Sequence, residues 1–278
     1  GVVVDLKHID EEMNRLREKG VSITPDNLKI SDRAIMVLPI HPAQDKWEEQ
    51  RLGKDHFGST LRGTNLKNET AEVCTVEHAL SALHALGITD VAVEMDGPEP
   101  PVTDGASDVY VDALLKAGLK ELATEQKPLV IKHKITYTSG NISYSAEPAD
   151  KLTFTFVFLH KHPLVSHQEF TLEFTPKNYQ KEISRARTFG FEEELAFLKA
   201  HGLAKGGNLE NAVIVGKDKF INELRYPDEL VRHKILDLVG DLSLTGRKLP
   251  PLKITCTCGG HKHNVIFAKI LLANSEDK

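Results

Sequence analysis

The stretch Tyr226–Asp241 narrows the choice of fold more than any other. It reads as one helix. Pro227 suits a first helical position, where its missing N–H would have no partner, and Asp228 and Glu229 suit the positive end of the helix dipole. Leu230, Val231, Ile235, Leu238 and Val239 recur at helical spacing and make a core-facing stripe. His233 and Asp237 stand one turn apart on one face, and Asp241 continues that row. An imidazole and a carboxylate at this spacing can reach one metal ion, by the logic of a His-x-x-x-His metal helix with one ligand exchanged. The same pair on a solvated face is an ordinary ion pair, so the rest of the chain must decide.

The 278 residues suffice for one large or two ordinary domains. With 40% hydrophobic and 27% charged residues the composition is that of a soluble globular protein. A formal charge of -5 gives no basic footprint for nucleic acid. No apolar run approaches a membrane span, and no secretory signal pattern is present. Three cysteines fit a reducing cytoplasm better than a disulfide framework, and 13 histidines turn the search toward metals.

Taken in order, residues 5–19 predict an amphipathic helix stopped by Gly20, and Ala34–Leu38 a buried strand. Residues 44–54 read as loop or short exposed helix, and His41 and His56 stand isolated. Thr75 suits the N-cap of a helix over Val76–Leu86 with Val76, Leu80, Leu83 and Leu86 inward. Glu77-His78 opens that helix. The pair reads either as a general base beside a metal ligand or as a carboxylate stabilising a helix N-terminus. Val91–Met95 alternates like a strand and runs into the irregular Asp96–Pro101 loop, after which Ser107–Lys116 predicts a helix closed by Gly118. The charged, apolar-poor residues 120–127 mark a boundary, giving domains 1–124 and 125–278.

The second half predicts strands at 129–137, 151–160, 168–174, 212–215 and 252–256. Helices are expected over 178–187, 192–201, 227–244 and from Gly260 to about Ala273. Thr188–Phe191 interrupts the first two, and Gly206-Gly207 is a flexible loop. Strands and helices come in clusters without strict alternation, which predicts an α+β fold in place of a doubly wound parallel sheet.

Five motifs occur in one order: Thr75-Val-Glu-His78, Gly97–Gly105, Ser184-Arg-Ala-Arg-Thr-Phe-Gly190, Arg232–Asp241 and Gly260-His261. Together they closely resemble the UDP-3-O-acyl-N-acetylglucosamine deacetylases, zinc enzymes of lipid A synthesis, from about Thr60 to about Ala273. The resemblance implies two similar α+β domains, layers of sheet and helix, with the active site in the cleft between them. It implies that His78, His233 and Asp237 hold one Zn²⁺, with a fourth position left for water. Glu77 matches the general base and Thr188 the oxyanion contact. His261 matches the charged histidine that stabilises the intermediate, and Asp241 the carboxylate that orients it. Lys234 and Phe189 match substrate contacts. The segment 190–207 corresponds to the acyl-chain passage, bounded by Phe191 and Gly207 as substrate-binding residues, with Leu195, Phe197, Leu198 and Leu203 supplying apolar surface or simply core. A cytoplasmic monomer acting on the UDP-sugar is expected. Residues 1–55 do not resemble the family and lack its Gly-Leu-His-Thr-Gly segment.

Two rival readings stand beside this one. Cys256-x-Cys258-Gly-Gly-His261-x-His263 offers the ligand types of a small structural zinc site, although its spacing is tight for a finger. An inactive homologue that binds a nucleotide sugar or a protein partner would keep the fold and not the chemistry.

Overall fold

Short alternating segments of aromatic and β-branched residues build the main sheet. A computed structural model describes residues 63–67 and 72–276, apart from 92, 94, 96, 124 and 195–208, together with the backbone of 2–4 and 34–36. The elements in chain order are β1 (Val2–Val4), β2 (Ala34–Met36), β3 (Leu66–Lys67), β4 (Glu72–Val73), α1 (Glu77–Ala85), α2 (Asp108–Ala117), β5 (Ile135–Ser139), β6 (Ile142–Pro148), β7 (Thr153–Leu159) and β8 (His167–Glu173). They continue with α3 (Pro176–Glu182), β9 (Phe189–Phe191), β10 (Val213–Val215), α4 (Glu229–Ser243), β11 (Leu252–Thr257) and α5 (His261–Ala273).

Five strands form one mixed sheet in the order β5-β6-β11-β7-β8. The last strand in sequence sits in the middle: β11 runs antiparallel to β6 and parallel to β7, with Ile254 opposite both Ala146 and Phe154. Phe154, Phe156 and Phe158 alternate along β7 and are buried. Helix α4 lies against β7 and β8 and packs on α5 and α1. Helices and mixed sheets together make this an α+β fold, as the clustered pattern predicts. No helix among the described residues is long and apolar enough to cross a membrane.

Helix α4 is apolar on nearly every side. Leu230, Val231, Ile235, Leu236, Leu238, Val239 and Leu242 are all fully buried, and each contributes about 1.5–3 kcal/mol by leaving water. This is a central helix, wider in its buried surface than a single stripe implies. Its start also differs from the sequence reading. Asp228 is the N-cap and Glu229 the first helical residue, so Pro227 precedes the helix. Glu229 is no surface charge at a dipole. It is fully buried and accepts from Arg187 Nε at 2.9 Å, from the Arg187 N–H at 3.0 Å and from the Arg225 N–H at 2.6 Å. This buried pair ties the start of α4 to the segment leading into Thr188. Glu229→Gln leaves a buried guanidinium without its counter-charge and is expected to cost about 3–5 kcal/mol, read as a lowered urea midpoint with unchanged slope.

Other expectations shift locally. Thr75 is not the N-cap of α1. Val76 holds that position, and Thr75 has φ 53°, the left-handed region that strains a β-branched residue. The inward face of α1 is Glu77, His78, Ser81, Ala82, Leu83 and Ala85, so Leu80 and Leu86 are only partly covered. The described residues of the 91–95 segment, Val91, Val93 and Met95, form no strand. The strand expected from residue 129 begins at Ile135, and β6 was not foreseen at all. Helix α3 stops at Glu182, well short of Arg187. The expected helices at 5–19 and beyond Glu194, the loop at 44–54, His41 and His56 all lie outside the described residues.

Candidate active site

Two helices far apart in the chain, α1 and α4, are brought into contact by a glycine. A Cβ at Gly240 of α4 would lie 2.1 Å from the Glu77 carbonyl oxygen, so only glycine admits the first turn of α1 this close. The approach sets His78 beside His233 and Asp237. The His78 and His233 rings stand edge to face at 5.0 Å, and Asp237 Oδ1 lies 3.2 Å from His233 Nε2 and 3.8 Å from His78 Nε2. All three residues are buried, which removes the solvated ion pair as the meaning of His233-x-x-x-Asp237.

The donor set fits a metal ion. His233 Nδ1 donates to the Ala186 carbonyl at 3.0 Å, because a carbonyl can only accept. That leaves Nε2, 3.2 Å from Asp237 Oδ1, as the nitrogen a metal ion would take. Burial holds His78 neutral, its pKa lowered to about 3 with His233 adding to the effect. Asp237 Oδ1 is buried without a hydrogen-bond partner, while Oδ2 accepts from Lys234 Nζ at 2.8 Å. Burial alone would raise the Asp237 pKa, but His233, Lys234 and His261 outweigh it and hold it well below the usual carboxylate range. Two imidazole nitrogens and a carboxylate oxygen that face one another can be satisfied together by a cation. Their ligand atoms lie within 4.8 Å of one another.

Beside this group stand Glu77 and His261. Glu77 Oε2 accepts from the Thr64 N–H at 2.8 Å, and Oε1 lies 3.8 Å from His261 Nε2. Burial raises the Glu77 carboxyl to about 7, against the opposing pull of His261 and with Asp241 and Asp237 adding to the rise. His261 opens α5 directly after a tight turn. Cys258 has φ 54°, and a Cβ at Gly259 would come within 2.2 Å of the Tyr144 hydroxyl. Its Nδ1 lies 3.0 Å from Asp241 Oδ2. Burial would lower the imidazole, yet Asp241 and Asp237 raise it to about 9. Burial also opposes Lys234, whose pKa is nonetheless raised, chiefly by Asp237. Glu77, Asp237 and His261 form a second set of ligand atoms within 4.8 Å of one another.

The substrate-contact expectations divide. Phe189 borders the site, 6.2 Å from the His233 ring and 5.4 Å from Lys234 Nζ. Thr188 is half-buried; its N–H donates to the Gly105 carbonyl at 2.7 Å and its carbonyl accepts from Val213 at 2.8 Å. Gly105, at φ 80°, is needed there, since a Cβ would overlap the Asn211 carbonyl. Phe191 belongs to a neighbouring aromatic group, stacked on His160 at 4.1 Å. Gly207, Leu195, Phe197, Leu198 and Leu203 lie outside the described residues.

The rival zinc site at Cys256 and Cys258 does not assemble. His261 is committed to Asp241, and His263 Nδ1 pairs with the Tyr137 hydroxyl at 2.8 Å. The Cys256 thiol is pushed up to about 12, chiefly by burial, which disfavours the thiolate a metal needs. Sequence reasoning missed Thr64 and Asn264, both buried and both bonded to Asp241. Thr64 is 177 positions from Asp241, so no local spacing could have paired them.

Two family models match the chain, to unequal extent. Residues 1–71 match the family model for adenylosuccinate synthetase. Residues 41–273 match that for UDP-3-O-acyl N-acetylglycosamine deacetylase, which corrects the expectation that residues 1–55 do not resemble the family: the likeness already includes 41–55. The UDP-3-O-acyl-N-acetylglucosamine deacetylase of Nautilia profundicola is 37% identical over 82% of this chain and 78% of its own length. That of Anaeromyxobacter dehalogenans is 37% identical over 92% and 86%. That of Citrifermentans bemidjiense is 41% identical over 74% and 68%. With identities at this level across most of both chains, this chain belongs to the UDP-3-O-acyl N-acetylglycosamine deacetylase family.

Proposed function

We propose that the chain hydrolyses the acetamide of UDP-3-O-acyl-N-acetylglucosamine, releasing acetate and the free amine in the committed step of lipid A biosynthesis. It does so as a zinc-dependent amide hydrolase, in the cytoplasm and as a monomer. The observation that carries the reading is Asp237 Oδ1, buried and without a hydrogen-bond partner, facing two imidazoles. Two imidazoles and one carboxylate, with a further position open, are the donor set of a catalytic zinc. Held by His78, His233 and Asp237, the ion would supply a Lewis acid that polarises the amide carbonyl and acidifies water.

The remaining work falls to side chains of this chain. Glu77 Oε1 takes a proton from the attacking water as its oxygen bonds to the carbonyl carbon. A carboxyl raised to about 7 is well matched to that task. The oxyanion that develops is stabilised by the positive charge of His261 and by the Thr188 hydroxyl. As the C–N bond breaks, His261 Nε2 delivers its proton to the departing amine, and Asp241 holds the ring by Nδ1. Lys234 and Phe189 contact the substrate, and the 190–207 segment, from Phe191 to Gly207, takes the acyl chain. A division near residue 124 places Glu77 and His78 in one domain and the other named residues in the second.

The base must be deprotonated and the acid protonated. The rate therefore rises as Glu77 loses its proton, at or below about pH 7 once a cation is bound, and falls as His261 loses its own near pH 9. A kcat/KM profile checks both limbs. Metal content tests the ligand set: His78→Ala, His233→Ala and Asp237→Ala should each lose bound zinc, while Cys256→Ala keeps it. Metal retained in the first three and lost in the last would overturn the assignment.

A further inference from the structure

Thr64 is completely buried, and every polar group it owns is used beside the site. Its N–H donates to Glu77 Oε2 at 2.8 Å, its carbonyl accepts from the Val76 N–H at 3.0 Å, and its hydroxyl donates to Asp241 Oδ1 at 2.5 Å. The preceding residue presses on the same carboxylate: a Cβ at Gly63 would stand 3.3 Å from Glu77 Oε1. One residue thus touches both halves of the proton machinery, the base through its backbone and the carboxylate behind the acid through its side chain.

The oxygens of Asp241 divide their partners unequally. Oδ2 receives His261 Nδ1 and Asn264 Nδ2, at 3.0 and 2.8 Å, while Oδ1 receives the Thr64 hydroxyl. The Asn264 amide is fixed in that sense because the Tyr144 hydroxyl donates to its Oδ1 at 2.6 Å. The terminal torsion of an aspartate is broad. A carboxylate gripped at one oxygen only can turn, and the imidazole it orients turns with it. A short hydroxyl-to-carboxylate bond at the other oxygen is of the strong, charge-assisted kind, so it closes that freedom.

We propose that Thr64 is a positioning residue of the deacetylation reaction, which locks the Asp241 carboxylate and, through it, His261 in fixed relation to Glu77. This rests on the functional reading above. Thr64→Val keeps shape and backbone and removes only the hydroxyl. It is expected to lower kcat about tenfold to hundredfold, the usual loss for a partner behind a catalytic group, with KM and bound zinc unchanged. Thr64→Ser, which restores the hydroxyl, recovers most of the loss. In an Asp241→Ala background Thr64→Val should cost almost nothing more, since its effect passes through that carboxylate. A downfield proton resonance from His261 Nδ1–H, assigned by its absence in His261→Gln, should be present in the wild type and Thr64→Ser and displaced in Thr64→Val. Thr64→Ala, which sets no methyl against the carboxylate, carries the same test if the valine variant does not fold. An active wild type with unaltered kcat in both hydroxyl-free variants would overturn the inference, as would equal losses with and without Asp241. A folded wild type with no deacetylase activity would overturn the functional reading instead, and the resonance would still report on Thr64.

Discussion

Glu77→Gln lowers kcat by about 10²–10⁴-fold, the worth of a positioned general base, and leaves zinc bound at the wild-type ratio. The substitution keeps the size and the acceptor oxygen that Thr64 N–H requires, and it removes only the ability to take a proton. Glu77 is outside the His78, His233, Asp237 group proposed to hold the ion, so that donor set stays intact. Its environment supports the role. Burial raises the carboxyl to about 7, where it both exists as a base near neutral pH and holds a proton firmly enough to accept one from water. A stopped assay with metal analysis of the same sample checks it. Near-normal turnover in Glu77→Gln would require another base, and His261, charged through its contact with Asp241, is not available for that purpose.

Gly240→Ala inactivates by a different route. In most helix interiors glycine to alanine gains about 1 kcal/mol, because alanine restricts the unfolded chain and suits the helix. Here the sign reverses. The added carbon would sit 2.1 Å from the Glu77 carbonyl oxygen and 3.0 Å from the Glu77 Cα, against backbone that cannot rotate away. Helix α1 must move off α4, and both Glu77 and His78 move with it. The expected loss is about 3 kcal/mol or more of stability, at the upper end of overpacking costs, with zinc binding weakened in the protein that still folds. Urea unfolding and metal content read the two effects separately. Wild-type stability would show that the helices can slide without harm, and the account of how the site is assembled would fail.

What the sequence reveals follows from the range over which its signals act. The His233, Asp237, Asp241 row is a property of one helix, and a period of 3.6 places it on a single face without tertiary knowledge. The helix itself and the strand expected over 151–160, which appears as β7, are legible because their signals are likewise confined to one element. Strand β6, Ile142–Pro148, was missed because Ser143, Ser145 and Glu147 interleave with small or aromatic residues and give a weak alternation; it pairs with the adjacent β5 on one side and with the distant β11 on the other. Glu229 was misread because a carboxylate at a helix start has a common local explanation, and its burial against Arg187 comes from tertiary packing alone. The contact between Glu77-His78 and the α4 row depends on Gly240, whose meaning appears only when α1 is laid across it. Thr64 and Asn264 carry no motif, and what they do is set by where Asp241 ends up.

The most direct test is acetate released from UDP-3-O-acyl-N-acetylglucosamine by the purified chain, measured as isolated, after chelation and after zinc is returned. Chelation should abolish the release and stoichiometric zinc should restore it. A folded, zinc-loaded protein that releases no acetate, or release that persists at full rate after the metal is removed, would contradict the proposed function.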